Sequence, residues 1–322
     1  MMLQPQALPG SRARTDSGTG ERPRRSLRAR LTRWVRGGGI WAIVFGAPLV
    51  IVFAYFAWGP IISGIVLSLQ KTNFLTSSWV GLSNFEFVLT DPVLPKATAN
   101  TVIFTGLSLL IGVPLPLALA VVMAELRRRK GLFSALAYLP VVIPPVVGIL
   151  LWKVIYLPGE EGLLNSILGT FGLGPFAWLN SEQMVIPSMV IVSIWSGIGT
   201  AVIIYLAALG GVRPELYEAA ELDGAGVWRR IWHVTLPQIR GIVLILLLLQ
   251  IIGHLQVFNE PKLLTGGGPN NASITVLMMI YQYGFVNSNY GAAAALSVLL
   301  ALALALISVA YQFATRKWSD ND

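Results

Sequence analysis

The chain contains no cysteine, so it has neither a disulfide framework nor a thiolate metal site. Charge is scarce as well. Asp, Glu, Lys and Arg make up 12% of the 322 residues, against 55% hydrophobic, and mean hydropathy is +0.68. Runs this apolar belong in a bilayer, which excludes an ordinary soluble domain. There are two histidines, His233 and His254, and no His-Glu-x-x-His, so a zinc-protease centre is excluded. No Walker-type phosphate loop occurs: the glycines at 266–268 lack a following Gly-Lys-Ser/Thr. Nucleotide, if used, must bind a separate chain.

What is present is a set of long apolar runs. They lie at about 40–69, 100–124, 134–157, 184–209, 239–258 and 290–313, each near the ~20 residues needed to cross ~30 Å of hydrocarbon. The expectation is an all-α integral membrane protein with six transmembrane helices, occupying residues 40–315. Pro48 and Pro60 predict kinks in the first span, tolerable where neighbouring helices repair the backbone. Residues 1–39 are rich in Arg, Gly, Ser and Pro without apolar periodicity and read as a disordered basic tail. Arg24-Arg25 suggests an export signal, but the following run is too long for a signal core and lacks a clear cleavage site, which favours an uncleaved first span.

The pI of about 9.9 raises the question of nucleic acid, and the placement of charge answers it. With the N-terminus inside, nineteen of the 23 Lys and Arg fall in the tail, at Arg127–Lys130, in the segment carrying Arg213, Arg229, Arg230 and Arg240, and at Arg316–Lys317. The positive-inside rule therefore assigns both termini, including a short tail at 316–322, to the cytoplasm. Basic charge here orients spans and meets anionic lipid.

Between the fourth and fifth runs lies a polar, Gly-punctuated block, residues 214–237. Pro214 can open a helix as its first residue. Leu216, Ala219 and Ala220 fall on one face, with Glu215, Glu218 and Glu221 towards the sides. Gly224 and Gly226 allow a bend. A second short helix then carries Trp228, Ile231, Trp232 and Thr235 at helical spacing, and Pro237 interrupts it. Such a block is too polar for lipid and too apolar to float free, which suits a docking surface.

The order Glu218-Ala219-Ala220, three residues, Gly224, nine residues, Val234, one residue, Leu236-Pro237 resembles the signature loop of ATP-binding-cassette importer permeases, with Val234 where the family usually has Ile. An ordinary amphipathic helix between spans would explain a lone Glu-Ala-Ala, but not the register of Gly224 and Leu236-Pro237. Trp79-Val-Gly-Leu-Ser-Asn-Phe85, Asn100-Thr101, Leu139-Pro140 with Pro144-Pro145 and Trp152, Gly162-Leu-Leu-Asn165 and Leu264-Thr-Gly-Gly-Gly-Pro269 resemble the sugar-type (maltose or multiple-sugar) branch of the binding-protein-dependent transport system inner membrane component family. The resemblance runs from about residue 40 to the end. It implies the type I importer permease fold, with a cytoplasmic coupling helix between helices 4 and 5. Glu218, Ala219, Ala220, Asp223, Gly224, Leu236 and Pro237 would face the ATPase. It also implies a homologous second permease, two ATPase subunits holding ATP and Mg²⁺, an extracytoplasmic solute-binding protein and a carbohydrate cargo. The chain itself would carry no cofactor and no catalytic residue.

Apart from Lys153, the later spans hold almost no charge, which disfavours an ion-coupled carrier and suits a neutral, hydroxyl-rich solute. Lys153 can extend its ammonium to the outer interface. Gln250 and His254 share a helix face with Phe258 in line, and Gly197 and Thr200 follow Trp195 on the fourth span. An amide, an imidazole and a hydroxyl can exchange hydrogen bonds with a sugar. Counted from Glu218, these four polar or small positions coincide with those lining the site in maltose-type permeases. Bonding between neighbouring helices is the competing role for Gln250 and His254. A Ser–His hydrolase would have to pair His254 with a serine such as Ser108 or Ser196, and nothing in the sequence fixes that pair.

Overall fold

The structure, a computed structural model, describes residues 37–72, 76–125 and 130–319. Residues 1–36 of the expected tail and 127–129 of the basic run therefore lie outside the described residues, while Gly39, expected in the tail, already begins the first helix. The chain divides into two compact units at Pro60. In the first, helix α1 (Gly39–Phe53) contains Pro48 and runs into a π-helical turn at Ala54–Trp58. Pro60 stands second in α2 (Gly59–Ser68), where its missing N–H follows that wide turn.

The second unit, residues 61–322, carries the rest. A hairpin pairs Gln70–Thr72 with Ser77–Trp79 antiparallel, a small departure from an all-helical chain. Short helix α3 (Ser83–Leu89) buries Asn84, whose amide donates to Ser68 O and Gln70 O, both at 2.9 Å. Helices α4 (Leu94–Gly112) and α5 (Pro114–Glu125) follow, then α6 (Lys130–Val142), α7 (Pro145–Ile155) and α8 (Leu163–Gly169). The long α9 (Val185–Gly210) packs against α4, α5 and α6. Next come α10 (Pro214–Leu222), α11 (Val227–Arg230), α12 (Leu236–Leu255), α13 (Val276–Tyr281) and α14 (Tyr290–Ser319).

Among the described residues five helical stretches are long and apolar enough to cross a bilayer: Ile40–Ser68, Leu94–Ala124, Val185–Gly210, Val227–Leu255 and Tyr290–Arg316. The apolar run expected at 134–157 is not one straight helix. Gly131–Val142 and Pro145–Ile155 meet at 95° and make a sixth span only if counted together. Pro144 sits at the break with φ −52° and ψ 132°, because a residue preceding proline is driven out of the helical region. The last helix continues through Ser319, so the segment expected as a tail at 316–322 is helical as far as it is described.

Three apolar clusters hold this unit together. One joins Phe104, Ile149, Tyr156 and Val185–Val192 to Val257 and Leu264. A second gathers Val88, Ala97, Ile274–Met279, Tyr283 and Ala292–Leu296. The third, at the opposite end of α9, contains Ala120, Met123, Val202, Tyr205, Val212 and Ile239. Packing of α9 on α6 is close enough that a Cβ on Gly199 would run into the Ala137 carbonyl and the Tyr138 backbone. The glycine-rich 266–275 segment is tied down by Asn100, which donates to Asn271 O and Ile274 O (2.9 Å each), and by Thr101, which accepts from Val276 N. Outward from these clusters, Leu110, Leu302, Leu306, Val309 and Phe313 remain exposed, the surface a bilayer covers.

Candidate functional site

The block that joins the long helix Val185–Gly210 to the long stretch Val227–Leu255 is two helices braced against each other. Arg213 is extended (φ −64°, ψ 126°) and Pro214 opens α10. The far end closes by a complete Schellman motif: Ala225 N donates to Ala220 O at 2.9 Å, and Gly224 N to Glu221 O at 3.0 Å. That motif needs a left-handed residue, supplied by Gly224 at φ +71°. The glycine of the signature loop is thus a helix terminator first and a bend second.

Helix α10 rests on the third cluster through Leu216 and Tyr217. Ala219, expected on the same face as Leu216, is exposed instead, while Ala220 is half-buried. Two side-chain bridges then bind α10 to α11 and to the π-helical turn that leads into α12. Tyr217 and Thr235 share a hydroxyl hydrogen bond of 3.1 Å, and Arg230 is ion-paired with Glu221. Glu218, Asp223 and Pro237 are exposed, and Leu236 is half-buried.

Two expectations for this block are corrected. Pro237 does not end the second helix: it takes the second position of α12, and Val227–Leu255 runs as one stretch. A π-helical turn at Ile231–Thr235 absorbs the missing N–H. The same wide turn separates residues that ideal helical spacing would align. Thr235 is buried and Ile231 half-buried, while Trp228 and Trp232 are 76% and 65% exposed. Leu222 (90%) and Val227 (55%) are likewise exposed apolar side chains on this polar segment. A cavity of about 530 Å³ in this block is lined by Val121, Tyr217, Glu218, Glu221, Arg230 and Thr235 among others.

The four residues expected to line a solute path divide into two pairs. Gly197 and Thr200 are exposed along α9. Gln250 and His254 are half-buried and contact α4: Gln250 Nε2 donates to Gly112 O at 3.3 Å, and the His254 ring meets Phe104 edge-on with centroids 5.8 Å apart. Gln250 Oε1 is buried without a partner, so the amide is only half satisfied. Phe258 packs on Tyr281 at 5.2 Å. Lys153 Nζ donates to Leu263 O at 3.1 Å, fixing the turn Pro261–Thr265.

Neither candidate serine serves His254. Ser108 Oγ is buried without a partner, and Ser196 Oγ donates to Val192 O at 2.9 Å. Among the described residues no group of three or more His, Cys, Asp or Glu is placed to hold a metal ion.

Sequence reasoning passed over Glu260, between α12 and the turn Pro261–Thr265. It is the one acidic residue between Asp223 and Asp320, which was the available signal. Burial pushes its pKa up, against the smaller opposing influence of its own backbone and of Ser193 on α9.

Residues 112–319 match the family described as "Binding-protein-dependent transport system inner membrane component". The chain is 35% identical over 252 residues to the "Probable ABC transporter permease protein YurN" of Bacillus subtilis, covering 76% of this chain and 86% of the relative. It is 32% identical over 255 residues to the "Arabinooligosaccharides transport system permease protein AraP" of the same organism, covering 79% and 81%. Its fold is similar to a chain of a bacterial ABC transporter involved in the import of the acidic polysaccharide alginate, with a TM-score of 0.78 and 27% identity, covering 89% and 99%. With the match spanning the loop, its brace and every long helix after Gly112, the chain belongs to the binding-protein-dependent transport system inner membrane component family.

Proposed function

We propose that this chain is the permease subunit of an ATP-driven, solute-binding-protein-dependent importer of a neutral oligosaccharide. It has no catalytic step of its own. ATP and Mg²⁺ bind a separate pair of ATPase subunits, a homologous permease supplies the other half of the path, and a binding protein delivers cargo from outside. The protein sits in a bacterial inner membrane with both termini and residues 214–237 facing the cytoplasm, as its Lys and Arg distribution supports.

The observation that carries this reading is the braced block itself. The block leaves Glu218 and Leu222 of α10, Trp228 of α11 and Trp232 of the π-helical turn exposed. The same α10 is bonded to the start of a 29-residue span through Tyr217–Thr235 and Glu221–Arg230. A force applied to these side chains by ATPase closure is delivered to the π-helical turn that leads into α12. Coupling of this kind needs a surface with different contacts in two states and a rigid path onwards. Oligosaccharide cargo is supported by the arabinooligosaccharide relative and by the sugar-type loop motifs, and neutrality by the paucity of charge in the spans.

The test is ATP-dependent uptake in proteoliposomes holding this chain, its partner permease, the ATPases and the binding protein. Glu218→Lys is expected to insert normally and abolish uptake. Normal uptake by that variant, or uptake by this chain alone, would overturn the reading.

A further inference from the structure

The segment Trp79–Phe85 takes no part in coupling, yet it helps to wall a second cavity. Asn84 is 9% exposed and ties its amide nitrogen to Ser68 O and Gln70 O, at 2.9 Å each. Val80 N donates to Leu69 O at 3.0 Å, and the Thr72 and Ser77 hydroxyls meet at 2.8 Å across the hairpin. The first turn of α14 closes on the same strand, since a Cβ on Gly291 would run into Gln70 O and the Asn84 amide. Here lies a cavity of about 680 Å³, lined by Lys71, Ser77, Ser78, Asn84, Phe87 and Asn289 among others. That volume is within the ~300–1,000 Å³ usual for small-molecule sites.

Its lining has hydrogen-bonding capacity left over. Among the described residues Asn84 Oδ1 accepts no bond, and Lys71 Nζ donates none and makes no ion pair. Asn289 Oδ1 accepts from Ala292 N at 3.2 Å, which caps α14 and leaves its Nδ2 as a donor. Phe87 rests against Tyr283 with centroids 5.8 Å apart and keeps 49% of its surface open. No Asp or Glu is among the described residues of the lining. A cation would meet the Lys71 ammonium. An anion would suit Lys71 but would leave the buried Asn84 carbonyl oxygen without the donor it lacks. An apolar molecule would strand all these groups. A carbohydrate hydroxyl both donates and accepts, so a sugar can give a hydrogen bond to Asn84 Oδ1 and take one from Lys71. The C–H face of its ring can lie on Phe87.

We propose that this cavity is a second carbohydrate site, on the outer face of the protein and apart from the candidate solute path. It takes a short neutral oligosaccharide through Asn84 Oδ1, the Lys71 ammonium and the neighbouring serine hydroxyls, with one ring stacked on Phe87. The hairpin and α14 hold these groups in place before the ligand arrives, which limits the ordering cost of binding. Lys71 follows the first long apolar stretch and Asn289 precedes the last, so with both termini cytoplasmic each falls on the extracytoplasmic side. None of Gly197, Thr200, Gln250 or His254 lines the cavity. The proposal rests on the importer reading, which brings carbohydrate to that face, and adds a site to it.

The experiment uses the complex of both permeases and the ATPases in nanodiscs, without ATP or binding protein. Arabinotriose and maltotriose are the probes, inorganic sulfate is the competitor, and saturation-transfer NMR reads binding. Uptake of the same probes into proteoliposomes, with ATP and binding protein, is measured in parallel. Wild type is expected to bind at least one probe saturably and to be indifferent to sulfate. Lys71→Met alters an exposed side chain and is expected to weaken binding about tenfold, the worth of one charge-assisted hydrogen bond, with the melting temperature unchanged. Lys71→Arg is expected to recover most of that loss, and Phe87→Ala to remove saturation transfer to the ring protons of the bound sugar. Wild-type binding by both Lys71→Met and Phe87→Ala places the sugar elsewhere and overturns the proposal, even where those variants capture the binding protein less well. Displacement of the sugar by sulfate makes the cavity an anion site and overturns it too. A wild-type complex that transports a probe but binds none in nanodiscs overturns the proposal and leaves the importer standing. One that neither binds nor transports either probe defeats the carbohydrate reading, and the proposal with it.

Discussion

Tyr217 and Thr235 meet across the 214–237 block, hydroxyl to hydroxyl at 3.1 Å, although eighteen residues separate them. Thr235 is buried at the end of the π-helical turn, so the bond ends at the base of α12 rather than in solvent. Tyr217→Phe keeps the ring against the third cluster and removes only this bond, at a cost of about 1 kcal/mol. The expected outcome is normal assembly and ATP hydrolysis with several-fold fewer solutes moved per ATP. The check is paired measurement of uptake and phosphate release. An unchanged ratio would show that the strut transmits nothing.

Gly224 and Gly226 stand two residues apart, and a Cβ on either would meet nothing within 4 Å. Space therefore does not distinguish them, but backbone conformation does. Gly224 has φ +71°, whereas Gly226 is extended at φ −66°, ψ 168° and caps α11. Gly224→Ala is expected to cost about 1 kcal/mol at the Schellman turn and to weaken coupling. Gly226→Ser places a favoured N-cap residue and is expected to be neutral or slightly stabilising. Uptake rates of the two variants side by side make the comparison, and equal losses would deny the left-handed turn its role.

Trp228 and Trp232 offer the largest exposed rings of the block, at 76% and 65%. Buried at an interface, a tryptophan often contributes about 2 kcal/mol, close to thirtyfold in affinity. Trp228→Ala or Trp232→Ala is expected to weaken co-purification of the ATPase subunits by that order while leaving the amount of this chain in the membrane unchanged. Titration of ATPase onto the solubilised permease pair reads the loss directly. Retention of wild-type affinity by both variants would move the docking patch elsewhere.

Local chemistry made much of this chain legible, and tertiary choices did not. Pro214, Gly224 and the long apolar runs announce themselves because each acts within one helical turn or one span. Pro144-Pro145 also held a readable instruction, since a prolyl residue forces its predecessor out of the helix, and the 95° break falls there. The fate of Gln250 and His254 was not available in the same way. Spacing shows that they share a face but not which neighbour that face meets, and α4 takes it through Gly112 and Phe104. Thr235 misled for the opposite reason: an ideal period assumes an unbroken helix, and the π-helical turn at Ile231–Thr235 shifts the register. Glu260 lies between recognisable elements, where neither period nor motif assigns a role.

Two glycines on α9 separate packing from passage. Gly199 lies where α9 and α6 touch backbone to backbone, and a Cβ there would collide with the Ala137 carbonyl. That atom belongs to a helix and cannot swing aside as a side-chain tip would. Gly199→Ala is therefore expected to destabilise the chain by about 1–3 kcal/mol, as overpacking does. Gly197, two residues earlier and exposed, would meet nothing within 4 Å, so Gly197→Ala is expected to leave the melting temperature alone. If the exposed strip of α9 lines the solute path, bulk at that position acts only on transport. Gly197→Leu should then slow uptake in proteoliposomes while the detergent-solubilised protein melts as wild type does. Stable Gly197→Leu protein with undiminished uptake would remove that face of α9 from the path, and Gly199→Ala melting as wild type would refute the close helix contact.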